Sequence, residues 1–323
     1  MCETSDTRVH CAKLNIFKQK ELRTFFMIPI KWIILDIDGV IIGEKVGFNS
    51  PDPHPKVMEQ LRSLHKSGIG VSLCTAKPHF AIKSIIDGAN LNNIHITDGG
   101  GVIIDPINKI VAKKKVIDAR LAQEVLQMYL NNNIYVEFYT VDDYFIQAGQ
   151  KSSITKDHVH ILQREPKTLA SLSTDSTDYE ITKIMPIAKD EKDRERLTSL
   201  FQPFAGSLEL SWGVHPVALP LQFGIITAPG ISKKQGAIDI SETSNIPFEN
   251  MLAVGDSTSD WQFIEMCRYG AAMGNASPQL KKLVLSKGKD YSFVGGSVDK
   301  HGLIDILDHF QPMFGIDKDK SSK

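Results

Sequence analysis

The stretch LDIDGV, residues 35–40, decides how the rest of the chain is read. Four apolar residues, Trp32 to Leu35, run directly into two carboxylates, Asp36 and Asp38, followed by Gly39. Carboxylates at the end of a buried strand are costly unless something positive meets them. Spaced by two, they lie on the same side of an extended chain. The remainder of the sequence must therefore supply the positive partner.

Working outward, residues 31–37 read as an apolar strand. Val57, Met58, Leu61 and Leu64 then fall on one helical face, and Gly68 is the stop. Residues 69–75 form a second buried strand. Pro78 opens a helix carrying Ile82, Ile85 and Ile86, and 94–97 is a third strand. Strand alternating with helix predicts a parallel sheet with helices on its faces. After the glycines at 99–101 the rhythm changes. A hairpin turns at Asp105-Pro106, a helix covers about 117–130, and antiparallel strands follow, with 168–178 read as a loop. The parallel pattern resumes near 230, with a helix at 232–242, an apolar strand at 250–256 and a helix N-capped by Ser277. The expected fold is α/β: a doubly wound, mostly parallel core over 27–100 and 226–316, with an α+β domain inserted at 101–225. Residues 1–26 read as an extension outside the fold, and 317–323 as a frayed tail.

Composition narrows the function. The chain has 323 residues and a formal net charge of −1, so no global basic field points to nucleic acid, and any anionic ligand must be held locally. No apolar run reaches the ~18 residues of a membrane span. The first residues lack the apolar centre of a secretory signal. Cys2, Cys11, Cys74 and Cys267 suggest neither a zinc site nor a disulfide framework; for Cys74 and Cys267, buried free thiols in a reducing cytoplasm are the expectation.

In a parallel α/β sheet, ligands bind beyond the carboxyl ends of the strands. Four segments deliver polar residues there: Asp36 and Asp38; Thr75; Lys233 and Lys234; and Asp256 with Asp260 one turn later. Converging carboxylates require a cation, and hard oxygens select Mg²⁺. A hydroxyl and a lysine in the same place require an anion, and a phosphoryl group satisfies both demands. Asp36 is then placed as a nucleophile, and Asp38 as the acid that protonates the leaving oxygen and later activates water.

The segments DIDGV, SLCTAK, SKKQGAI and VGDSTSD together resemble the four signature motifs of the haloacid dehalogenase superfamily. The insertion between the second and third, with ITDGGGVII, ITKIMPI, AMGNASPQLK and DKHGLIDIL, resembles the cap-bearing Cof-type, or type IIB, phosphatases. The resemblance covers about residues 30 to 310. It implies a Rossmann-like core, an inserted α+β cap and hydrolysis of phosphoric monoesters. Asp36 and Asp38 would be the catalytic carboxylates and Thr75 the phosphoryl-binding hydroxyl. Lys234 would be the third-motif lysine, with Lys233 the alternate. Mg²⁺ would sit on Asp36, Asp38 through its backbone carbonyl, and Asp256, with Asp260 in support. Gly39, Lys77 and Asn275 would line the phosphate pocket. The chain departs from the family at Ala76-Lys77, where glycine-arginine is usual, and at Ser259.

The cap should close over the site and contact the substrate, with Arg164, Trp212 and His215 as candidates and Arg164 suited to a second anion. The expected substrate is a small phosphorylated metabolite, a sugar phosphate or phosphoglycolate among the possibilities. The alternatives are a phosphomutase using the same aspartyl phosphate and a non-catalytic sugar-phosphate-binding protein. Oligomeric state is left open.

Overall fold

Ile33, Ile34 and Leu35 are all inaccessible to solvent, so the strand Trp32–Leu35 must be covered on both faces. In the computed structural model, which describes residues 28–315, it is an inner strand of a five-stranded parallel sheet. The spatial order is Ser292–Val294, Tyr269–Ala272, Met251–Gly255, Trp32–Leu35, Gly70–Leu73. Leaving Trp32–Leu35, the chain builds one way to Gly70–Leu73. It later returns on the other side through Met251–Gly255. The strand order therefore reverses between Trp32–Leu35 and Met251–Gly255, and a crevice opens at that switch point. Asp36 and Asp256 are the residues that follow these two strands.

The flanking helices follow from local chemistry. His54 caps Pro55–Lys66, whose Val57, Leu61 and Leu64 are buried, and Gly68 ends it at φ +93°. Ser232 caps Lys233–Ser244 by accepting from Gln235 N–H. Gly236 lets this helix close on the sheet, since a Cβ there would stand 2.6 Å from Ile96 Cγ2.

The inserted domain is a six-stranded sheet in the order Glu209–Val214, Gln222–Thr227, Lys183–Ala188, Val136–Tyr139, Tyr144–Gln147, Lys167–Leu169. Its pairs are antiparallel except the last. Strand alternation separates two apolar faces. Val136 and Phe138 pack under the helices Ala119–Asn131 and Glu191–Phe201. Tyr139, Met185 and Phe223 lie on the other side, against which Phe80 of the core also packs.

Three expectations are corrected. The hairpin Val102–Asp105 and Ile110–Lys114 pairs with His95–Thr97 of the core, and Ile103 joins the core cluster. The cap's own apolar cluster begins at Ile117, not at 101. The polar stretch 168–178 is not a plain loop: Lys167–Leu169 extends the sheet, and Ser171 caps the short helix Leu172–Asp175. The helix Ser153–Leu162 has no counterpart in the sequence reading. The extension expected over 1–26 and the tail over 317–323 fall outside the described residues, as do Cys2 and Cys11. Cys74 and Cys267 are buried free thiols. Among the described residues, no helix is long and apolar enough to cross a membrane.

One buried ion pair ties cap to core. Lys183, from the cap, lies 3.0 Å from Asp98 at the cap entry and donates to the Ala76 carbonyl at 3.0 Å; both side chains are sealed from water. Removing one member of such a pair strands the other charge. Lys183→Met is expected to lower stability by about 3 kcal/mol, read as a reduced midpoint in denaturant unfolding; an unchanged midpoint would show that the pair does not anchor the cap.

Candidate active site

Asp36 follows its strand on a backbone held by Asp36 N–H donating to Val254 O at 3.1 Å. Its carboxylate, with those of Asp256 and Asp260, forms a cluster whose oxygens lie within 4.8 Å of one another. Lys233 Nζ stands between two of them, 2.8 Å from Asp36 Oδ1 and 2.6 Å from Asp260 Oδ1. Asp260 is fully buried and its acceptors are spent. Oδ1 takes Lys233, and Oδ2 accepts from Asp256 N–H, Ser257 N–H and the Ser257 hydroxyl. It shapes the loop and anchors the lysine. Gly255 makes room for it, because a Cβ would come 2.4 Å from Asp260 Cβ.

One cation does not balance three carboxylates. Burial, then Asp260, push Asp36 up to about 7 against the opposing pull of Lys233. Burial, then Asp36 and Asp260, push Asp256 up to about 8. Burial pulls Lys233 down, but Asp260 and Asp36 outweigh it and hold its pKa well above the usual range. Asp36 and Asp256 are thus oxygen donors whose ionised forms need a further positive charge, which fits a hard divalent ion.

Asp38 sits under different control. Burial alone would raise it, but Lys77, and behind it His215, hold it well below the ordinary carboxylate range. Lys77 Nζ is 2.8 Å from Asp38 Oδ1, and His215 Nε2, reaching in from the cap, is 3.4 Å away. Neither is in line for a hydrogen bond, so this oxygen has charge partners but no aligned donor. Thr75 is buried, and its Oγ1 accepts from Lys77 N–H at 3.1 Å. That leaves the hydroxyl proton for a ligand. Gly39 has φ +78°, and a Cβ there would lie 2.0 Å from Asp256 Oδ2. Asn275 Nδ2 donates to Gly39 O at 2.9 Å, and its Oδ1 accepts from Val298 N–H. The glycine-rich cap entry belongs to the same architecture: Asp98 N–H donates to Lys77 O and Gly99 N–H to Thr75 O. Gly100, at φ +113°, passes so close to Ser232 that a Cβ would meet its carbonyl at 2.3 Å.

The structure gathers Asp36, Asp38, Gly39, Thr75, Lys77, Asp256, Asp260 and Asn275 at the switch point. It does not bring Lys234 there. Lys234 is half-exposed and lies 3.6 Å from Glu265. Consecutive helical residues point about 100° apart, so only one lysine can face the sheet. Lys233 shares a face with the buried Gly236, Ala237 and Ile240, at spacings of three, four and seven. That periodicity identifies Lys233 from sequence; matching the motif letter by letter does not. Arg164 is also absent from the site. Its guanidinium contacts Asp142 O and Asp143 and lies 4.5 Å over the Phe80 ring, on the seam between cap and core. Trp212 faces the cap's helical side, where Nε1 donates to Thr198 Oγ1.

A sequence profile for haloacid dehalogenase-like hydrolases matches residues 33–307, which includes every motif segment and the whole cap. The chain belongs to the haloacid dehalogenase-like hydrolases. Phosphatase YwpJ of Bacillus subtilis is 23% identical over 299 residues, spanning 87% of this chain and 99% of that one. The 5-amino-6-(5-phospho-D-ribitylamino)uracil phosphatase YwtE of the same organism is 22% identical, over 86% of this chain and 97% of its own. A subclass IIB sugar phosphatase of the family superposes with a TM-score of 0.69 at 19% identity, over 87% of this chain and 99% of the other. The expected fold, a Rossmann-like core interrupted by a cap, holds for this hydrolase, as does its class, a phosphoric monoester hydrolase of the Cof type. The two adjacent lysines give a direct test of the site. Lys233→Met is expected to reduce kcat at least a hundredfold, whereas Lys234→Met stays within threefold of the parent; similar losses in both would contradict the assignment.

Proposed function

We propose that this hydrolase cleaves a small phosphorylated metabolite through an aspartyl phosphate on Asp36, with Mg²⁺ as cofactor. The observation that carries the reading is the placement of Asp36 beside Lys233 and Asp256, at the crevice where the strand order reverses. The carboxylates of Asp36 and Asp256 and the backbone carbonyl of Asp38 would hold the ion, which when bound supplies positive charge to the carboxylates and to phosphoryl oxygens. Lys233 and Thr75 orient the phosphoryl group, the one by charge and the other by its free hydroxyl proton.

Asp36 Oδ1 is fixed by Lys233, and its carboxylate attacks phosphorus. The ester P–O bond breaks, and Asp38 gives the departing oxygen its proton. Asp38 then takes a proton from water; the resulting hydroxide attacks the aspartyl phosphate, releases inorganic phosphate and restores Asp36. In the arrangement described, Lys77 and His215 hold Asp38 ionised. An entering phosphate monoester offers both groups a new anion, which frees Asp38 to carry the proton. The relative named for a phosphorylated ribitylaminouracil supports a metabolite-sized substrate. The absence of a strong net charge supports local recognition. The buried free thiols of Cys74 and Cys267 support a reducing compartment such as the cytoplasm.

Asp36→Asn keeps the shape of the side chain and removes its nucleophilicity. Release of inorganic phosphate from a panel of phosphorylated metabolites is expected with Mg²⁺, to vanish with chelator, and to fall at least a thousandfold in the variant. Retained turnover by Asp36→Asn would remove the nucleophile assignment.

A further inference from the structure

Between core and cap lies a cavity of about 100 Å³ whose floor is Asp38 and Lys77. Its walls come from the cap and are chiefly apolar, with Tyr139, Ile161, Leu162, Met185, Phe223 and Ile225 facing inward. An apolar cavity of ~150 Å³ takes up a benzene ring. With the phosphoryl group seated at the floor, this smaller space limits the alcohol to a short chain or, at most, a single ring. A polyol placed here would lose water from several hydroxyls and find few partners, a penalty repeated for each one left unpaired.

The polar groups on the walls can be counted off. Lys183 is committed to Asp98 and to Ala76 O, and lies 4.2 Å over the Tyr139 ring. His215 accepts from Val217 N–H through Nδ1 and turns Nε2 toward Asp38. The Tyr139 hydroxyl donates to Glu137 Oε2 at 2.6 Å. His158 remains. Its Nδ1 is 2.8 Å from Glu137 Oε2, though not in line for an ideal hydrogen bond. A ring nitrogen that close to a carboxylate oxygen must carry the proton. In the neutral ring Nε2 is then an acceptor, and it has no hydrogen-bond partner among the described residues.

Glu137 is itself unusual. It is fully buried at mid-strand, on the face that looks toward the core, where apolar residues are the rule. It receives the hydroxyls of Tyr135 and Tyr139, and His158 Nδ1 lies 2.8 Å from its Oε2, surroundings suited to an acceptor-only carboxylate. The hydroxyl of Tyr135 is further tied to Thr155 Oγ1 at 2.9 Å, on the helix that carries His158. This network fixes the rotamer and tautomer of one imidazole at the edge of an apolar cavity.

We propose that the cap selects phosphate esters of compact, largely apolar alcohols, no larger than about a single ring, and that His158, oriented by Glu137, accepts a hydrogen bond from one donor group on that alcohol. The proposal rests on the hydrolase reading above and narrows its substrate class. His158 is the residue that sets specificity, and Glu137 positions it.

The test compares phosphate release by the full chain with Mg²⁺ from benzyl phosphate, 3-hydroxybenzyl phosphate, 4-(hydroxymethyl)benzyl phosphate and glucose 6-phosphate. Benzyl phosphate is expected to exceed glucose 6-phosphate at least tenfold in kcat/KM. One of the hydroxylated esters is expected to exceed benzyl phosphate by about a further tenfold, the effect of one hydrogen bond, through KM. His158→Phe should abolish that second preference, read as the ratio of kcat/KM for the hydroxylated ester to kcat/KM for benzyl phosphate falling to about one. His158→Gln, which keeps an acceptor, should retain part of it and carries the test if melting curves show the Phe variant unfolded. A merely structural role would lower kcat for all four esters alike and would overturn the assignment. A preference for glucose 6-phosphate would overturn the substrate class while leaving the hydrolase reading intact. Release of phosphate from none of the four esters, with release from the metabolite panel retained, would overturn the substrate class alone; release from neither would bring both down.

Discussion

Everything at this site depends on placing three carboxylates within 4.8 Å of one another around a single lysine. Left alone, such a cluster is unfavourable: burial and mutual repulsion drive Asp36 and Asp256 toward their protonated forms. The fold holds it regardless, because each member is fixed by backbone that has other reasons to be where it is. Asp36 and Asp256 follow adjacent buried strands in register, and Asp260 closes the loop after Met251–Gly255 onto its own backbone N–H groups. A site kept in electrostatic debt is poised for a cation and for the anion a cation brings with it.

The cap addresses the other half of the problem. It is attached where it can be controlled: Asp98 and Gly99 bond directly to the loop carrying Thr75 and Lys77, and Lys183 returns from mid-cap to the same spot. Cap placement and the phosphate-binding loop are therefore mechanically one object. His215 extends this link to Asp38, so a shift of the cap changes the surroundings of the acid directly. Apart from the buried Glu137 and His158, the rest of the inward face is chiefly apolar, which excludes water from the reacting centre on the proposed reading.

Much of this was legible in the sequence, for identifiable reasons. The parallel core could be read because its strands are short, continuously apolar and end in polar residues, as Trp32–Leu35 and Met251–Gly255 do. Asp36, Thr75 and Asp256 were legible because strand ends in this architecture converge on one edge. Lys234 was a misreading of a helix start: the face that packs against the sheet is marked by Gly236, Ala237 and Ile240, and it selects Lys233. The cap boundary was misplaced because a hairpin looks the same whether it pairs with core or cap, and its partner, His95–Thr97, is a tertiary fact. Arg164 was chosen for its charge, but its position is decided by Asp142, Asp143 and the Phe80 ring. Glu137 and His158 lie twenty-one residues apart in unremarkable segments, and only the packing of a helix on the cap sheet joins them.

The central claim is that the carboxylate cluster is a cation site built into the switch point of the sheet. Calorimetric titration of the full chain with Mg²⁺ tests it most directly. One ion per chain is expected to bind, with the heat lost when Asp256 is replaced by asparagine. No binding, or binding that is indifferent to Asp256→Asn, would contradict the account.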